Sequence, residues 1–102
     1  MPTTGNFMAR STHHPNYQTL LTLLRELRER AGVTQLALAD SLGNTQTFIS
    51  KVERGERRID VVEFIEICDA LGADPVATFR DYLQRSSLLG KRSSKLTRRT
   101  PN

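Results

Sequence analysis

The sequence predicts an all-α fold of five short helices, and three observations carry that reading. Apolar residues recur at the i, i+3, i+4, i+7 spacing of a helix face in successive stretches between Tyr17 and Leu83. Almost every stretch is bracketed by a capping side chain before it and a glycine or proline after it. No stretch alternates apolar and polar residues as a half-buried strand does.

The first helix follows from Tyr17, Leu20, Leu21, Leu24, Leu27 and Ala31, which place one apolar stripe on a helix. Asn16 is its expected cap, and Gly32 suits the left-handed position beyond its end. Thr34 caps a second, short helix carrying Leu36, Leu38, Ala39 and Leu42, closed by Gly43. Thr45 caps a third from Gln46 to about Arg54, with Phe48, Ile49 and Val52 inward and Gly55 at its end. Asp60 and Glu63 have capping-box spacing ahead of Val61, Phe64, Ile65, Ile67, Cys68 and Leu71, a fourth helix stopped at Gly72. Asp74-Pro75 is a cap with proline at the first helical position, opening a fifth helix through Val76, Phe79, Tyr82 and Leu83. The expected organisation is an arm at 1–16, a helical domain at 17–83 and a basic tail at 84–102. Both flanks lack the apolar content to fold alone.

A chain of 102 residues with one cysteine, Cys68, has no internal disulfide and no multi-cysteine zinc site. The adjacent His13 and His14 lack acidic or cysteine companions in sequence, so no metal and no cofactor is expected. No apolar run approaches the ~20 residues of a membrane span, which predicts a soluble cytoplasmic protein without membrane contact. No phosphate-binding glycine loop or nucleophile motif is present, which argues against an enzyme. The net charge of +4 is unevenly placed. Residues 59–83 hold Arg80 against six acids, whereas 84–102 hold six bases and no acid. Charge of this kind permits a nucleic-acid face without locating it.

The location comes from the segment 34–55. Two short helices crossing steeply need a small residue where they approach, supplied by Ala39, and a turn residue tolerant of positive φ, supplied by Gly43. With Phe48, Ile49 and Val52 packed inward, Gln46, Thr47, Ser50, Lys51 and Arg54 remain outward on the third helix. Glutamine pairs bidentately with adenine, lysine with guanine, and a threonine methyl touches the thymine methyl. A merely solvated polar face is the plain alternative.

This segment resembles the helix-turn-helix of the Cro/CI-repressor or xenobiotic-response-element (XRE) regulators. Gln35 opens the first helix of the pair, Leu38-Ala39 packs it, Gly43 sits in the turn, and 49–55 read Ile-Ser-Lys-Val-Glu-Arg-Gly, matching the family's Ile-Ser-x-x-Glu-x-Gly ending. The resemblance runs over roughly 17–83 and implies a compact lambda-repressor-like five-helix domain with the helix-turn-helix at helices 2 and 3. It implies base contacts at Gln46, Thr47, Ser50 and Lys51, and DNA-backbone contacts at Gln35, Thr45, Arg54, Arg57 and Arg58. It also implies an internal ion pair between Arg28 and Glu53. The function expected is a sequence-specific DNA-binding transcriptional regulator, a repressor bound as a homodimer to an inverted repeat in double-stranded DNA. The dimer is expected at the fifth helix through Tyr82 and Leu83, with Leu88 and Leu89 as candidate additions. The alternative is an antitoxin-like or adaptor module whose cationic tail docks on a protein partner.

Overall fold

The computed structural model describes residues 13–86, which form five helices: α1 (Pro15–Arg30), α2 (Gln35–Ser41), α3 (Gln46–Glu53), α4 (Val61–Ala70) and α5 (Pro75–Arg85). Among the described residues there is no strand. Residues 1–12 and 87–102, and with them most of the expected arm and tail including Leu88 and Leu89, lie outside the described residues.

Four of the five caps are the side chains read from the sequence. Thr34 Oγ1 accepts from the Ala37 N–H at 3.0 Å and Thr45 Oγ1 from that of Phe48 at 3.1 Å. Asp60 and Glu63 form a reciprocal capping box at 2.8 and 2.9 Å, and Asp74 accepts from the Val76 N–H at 3.1 Å. The first cap differs. α1 begins at Pro15, two residues before Tyr17, and its cap is His14, whose Nδ1 accepts from the Asn16 N–H at 3.1 Å. Proline at the first helical position has its φ already set and no N–H to satisfy, so it extends the helix backward. The last helix also outruns its expected end at Leu83: Arg85 pairs with Asp81 at 3.0 Å and reaches Glu26 of α1 at 2.9 Å.

α2 and α3 are joined by a turn in which Gly43 adopts φ 66°. A Cβ there would meet nothing within 4 Å, so the backbone angle, not space, favours glycine. One buried cluster joins Leu24, Leu38, Ala39, Ile49 and Ile67, drawing on α1 to α4. A second joins Tyr17, Leu21 and Val52 and locks α1 to α3. Leu23, outside the expected stripe, is also buried, because α1 packs against both α3 and α5. Leu36, among the apolar residues of the second helix, is half-exposed. The Tyr17 hydroxyl accepts from the Ile59 N–H at 3.1 Å, tying the α3–α4 loop to α1, and the Tyr82 hydroxyl donates to the Asn16 carbonyl at 2.9 Å.

Ala39 has no solvent exposure and shares its cluster with Ile49 of α3, so a larger side chain there pushes the two helices apart. Ala39→Leu is expected to lower the unfolding free energy by roughly 1–3 kcal/mol, read from urea denaturation.

Candidate nucleic-acid interface

The site is the outward face of α3 and the loop that leaves it. α3 holds its inner side with Ile49 and Val52, both buried, and with Phe48 half-buried. The opposite side presents Gln46, Thr47 and Lys51 to solvent, with Ser50 half-exposed. Gln46, Thr47, Ser50 and Arg54 line a shallow surface hollow of about 260 Å³. Four polar side chains therefore border one concavity on a helix whose other face is fixed.

The fixing is electrostatic as well as apolar. Arg28 of α1 grips Glu53, the last residue of α3, with Nε to Oε2 at 2.6 Å and Nη2 to Oε1 at 3.1 Å. Its third nitrogen, Nη1, donates to the Val33 carbonyl at 2.8 Å. Gln35 of α2 adds an N–H to Glu53 Oε1 at 2.8 Å, so one carboxylate joins three helices. Both charged side chains are 11% exposed. The hydrogen bond to Glu53 holds the Arg28 guanidinium above its ordinary pKa against the opposing effect of burial.

The three loop arginines are brought to the same end of the molecule, each with an internal contact. Arg54 forks onto Glu56 at 3.0 and 3.1 Å and also donates to Ser50 Oγ. That pairing raises the Arg54 pKa and lowers that of Glu56. Arg57 forks onto Glu63 at 3.0 and 2.9 Å, lies 4.8 Å above the Phe48 ring, and donates to the Arg58 carbonyl. The Arg58 guanidinium lies 4.8 Å above the Tyr17 ring. Sequence reasoning missed Glu56 and the second role of Glu63. Glu63 was legible only as a cap, and an Arg-x-Glu spacing in a loop carries no rule of its own. The contact of Gln35 with Glu53 was equally invisible, since the two are 18 positions apart.

The comparisons with known proteins agree with this geometry. The model of the helix-turn-helix domain family matches residues 19–79. An XRE-family like protein from Pseudomonas syringae pv. tomato is 44% identical, with a TM-score of 0.69 over 76% of this chain and 94% of its own. This chain belongs to the XRE-type helix-turn-helix family. The clp gene regulator ClgR from Corynebacterium glutamicum, 24% identical, shares the fold with a TM-score of 0.62 over 78% of this chain and 85% of its own. No curated protein matches the sequence.

Within this XRE-type domain the remaining candidates are placed as follows. Tyr82 and Leu83 are half-buried, and the Tyr82 ring packs on Phe79 at 6.0 Å between centroids. Cys68 is buried, and burial pushes its thiol pKa up. Among the described residues no three His, Cys, Asp or Glu side chains are grouped to hold a metal ion, and no helix is long and apolar enough to cross a membrane.

Removing one partner of the Arg28–Glu53 pair leaves a nearly buried charge without compensation. Glu53→Ala is expected to destabilise the fold by roughly 2–4 kcal/mol, measured by chemical denaturation. Glu53→Gln, which keeps an acceptor for Arg28 and Gln35, is expected to cost less.

Proposed function

We propose that this chain is a transcriptional repressor that inserts α3 into the major groove and binds an inverted-repeat operator as a homodimer. The observation that carries this reading is the shared hollow of Gln46, Thr47, Ser50 and Arg54, with Lys51 exposed on the same helix. Amide, hydroxyl and ammonium groups on one side of a helix match the donor and acceptor pattern of base edges in the major groove. Gln46, Thr47, Ser50 and Lys51 are assigned to bases. Gln35, Thr45, Arg54, Arg57 and Arg58 are assigned to the DNA backbone. Gln35 retains a second amide N–H beyond the one given to Glu53. Arg54 and Arg57 exchange the exposed carboxylate of Glu56 and the partly buried one of Glu63 for phosphates, a substitution between two anionic partners of similar geometry. A domain of this size reads too few base pairs alone, which supports a two-fold assembly on paired half-sites about 34 Å apart. Regulator function is also what the name of ClgR states of that protein. Selection of bound duplexes from random sequence tests the reading, with an inverted repeat as the expected product.

Gln46→Ala or Lys51→Ala is expected to relax preference at particular operator positions by ~1–3 kcal/mol each, measured on single-base operator variants. Arg54→Ala is expected to weaken operator and scrambled DNA alike and to reduce the salt slope by about one. Equal losses on both DNAs for Gln46→Ala contradict the base-reading assignment.

The segment 87–102 carries Lys91, Arg92, Lys95, Arg98 and Arg99 and no acid. We assign it to phosphates flanking the site. Arg85, counted in the basic tail from sequence, instead belongs to α5 and its pairing with Glu26, so truncation is placed after Ser86. Such truncation is expected to flatten the dependence of log affinity on log salt by ~2–3 while preserving the ranking of operator variants. An unchanged slope favours the antitoxin-like or adaptor reading, in which the segment docks on a protein.

A further inference from the structure

The start of α1 and the loop that leaves α3 share a small open hollow of about 280 Å³, lined by His14, Tyr17, Arg58 and Tyr82. No carboxylate is among those four residues. Tyr17 is only 9% exposed, yet its phenol is half used. The oxygen accepts from the Ile59 N–H at 3.1 Å, and the O–H has no acceptor among the described residues. His14 is in a similar position. Its Nδ1 accepts from the Asn16 N–H at 3.1 Å as the cap of α1, which leaves the ring proton on Nε2, at the opposite edge of the imidazole. The Arg58 guanidinium lies 4.8 Å above the Tyr17 ring and supplies the charge. We infer that this hollow is a phosphate seat, in which the His14 Nε2–H, the Tyr17 O–H and Arg58 together hold one phosphate group.

The donor set selects the ligand. A cation is repelled by Arg58 and finds one good acceptor, the Tyr82 hydroxyl oxygen, whose own proton goes to the Asn16 carbonyl at 2.9 Å. An apolar molecule would cover the Tyr17 O–H without giving it an acceptor, and a polar group left unsatisfied in this way is costly. An oxyanion answers all three donors, and a tetrahedral one offers each a separate oxygen. The first turn of α1 adds nothing of its own. Pro15 has no N–H, the Asn16 N–H is given to the His14 side chain, and those of Tyr17 and Gln18 are given to the His14 carbonyl. The seat is therefore one of side chains. Arg58 is already assigned to the DNA backbone, and the inference rests on that reading for the source of the phosphate. It extends the interface from the loop after α3 to the start of α1. A phosphorylated small molecule presents the same group to the same donors, and experiment separates the two sources.

His14→Asp separates a binding role from a structural one. Aspartate is among the best helix caps and its charge suits a first turn, so the variant is expected to melt no lower than the parent. In the seat it replaces a donor with an anion, so binding of the full chain to operator and to scrambled duplex is expected to weaken alike, by roughly tenfold. Tyr17→Phe keeps the ring beneath Arg58 and is expected to weaken both by roughly three- to tenfold. That loss is expected to shrink when Arg58→Ala is already present, because the two side chains hold one phosphate. Without DNA, inorganic phosphate titrated against chloride at equal ionic strength is expected to move the His14 ring signals in the nuclear magnetic resonance spectrum, and to move them much less in Arg58→Ala. Weaker DNA binding by His14→Asp with no phosphate shift assigns the seat to the DNA backbone alone. A phosphate shift with DNA binding untouched by His14→Asp assigns it to a small phosphorylated ligand. Parent-like DNA binding by His14→Asp together with no phosphate shift overturns the proposal. A loss from Tyr17→Phe on DNA that Arg58→Ala leaves undiminished overturns it likewise. Failure of the DNA reading instead shows as a parent that selects no duplex while the phosphate shifts stand.

Discussion

Glu53 ends α3, where the aligned peptide dipoles already concentrate negative charge, so a carboxylate in that place is unfavourable without cations or donors around it. Arg28 from α1 and Gln35 from α2 supply them, and the third nitrogen of Arg28 fastens the α1–α2 turn at Val33. The orientation of α3 relative to its two neighbours is thus set by hydrogen bonds with narrow angular tolerance as well as by the apolar contacts of Ile49 and Val52. A helix held only by side-chain packing can rotate by several degrees at small cost. A helix whose last residue is gripped by a planar fork cannot, and a surface that is to address base edges needs that restriction.

The loop after α3 solves a different problem. Three arginines within five positions repel one another unless each has an anionic or aromatic neighbour. Glu56, Glu63 and the rings of Phe48 and Tyr17 are those neighbours. The Arg54–Glu56 pair is about half exposed and the Arg57–Glu63 pair less so, and exposed pairs contribute at most about 1 kcal/mol. They therefore position the guanidinium groups without committing them: a phosphate can take the place of a carboxylate at little net cost. The carboxylates also compete with any passing polyanion, which lowers its attraction to these guanidinium groups.

The legible part of this molecule was the part governed by neighbours in sequence. Caps at Thr34, Thr45, Asp60 and Asp74, and the glycines after α1 to α4, were readable because their partners lie within three or four residues. The exception at α1 is also local: Pro15, with its φ already set, starts the helix ahead of Asn16, and His14 caps it. The outward side of α3 was readable by subtraction, once Phe48, Ile49 and Val52 were assigned inward. Contacts across the chain were not readable in this way. The hydroxyl of Tyr17 on the Ile59 N–H spans 42 positions and that of Tyr82 on the Asn16 carbonyl spans 66, and no periodicity announces either. Arg28 with Glu53 was accessible only through family resemblance.

The same distinction explains the exposed apolar side chains of α4 and α5. Val61, Ile65, Val76 and Phe79 have the spacing of inward residues on their own helices, and periodicity assigns them to the core. Exposure depends instead on how α4 and α5 cross. The rings of Phe64 and Phe79 meet edge-on at 6.3 Å, and burial is concentrated in Ile67 and Cys68, toward the later part of α4. Thr78 turns the first turn of α5 inward, while Val61, Ile65, Val76 and Phe79 on the other sides of the two helices are covered by no other described helix. Asp60 and Asp74 in the same segment cap helices, and Glu63 and Asp81 pair with arginines, so Asp60 is the one carboxylate among the residues lining the apolar groove between α4 and α5. Four of the six acids of 59–83 thus serve helix caps or ion pairs, and Glu66 and Asp69 border a separate hollow with Ser41 and Leu42.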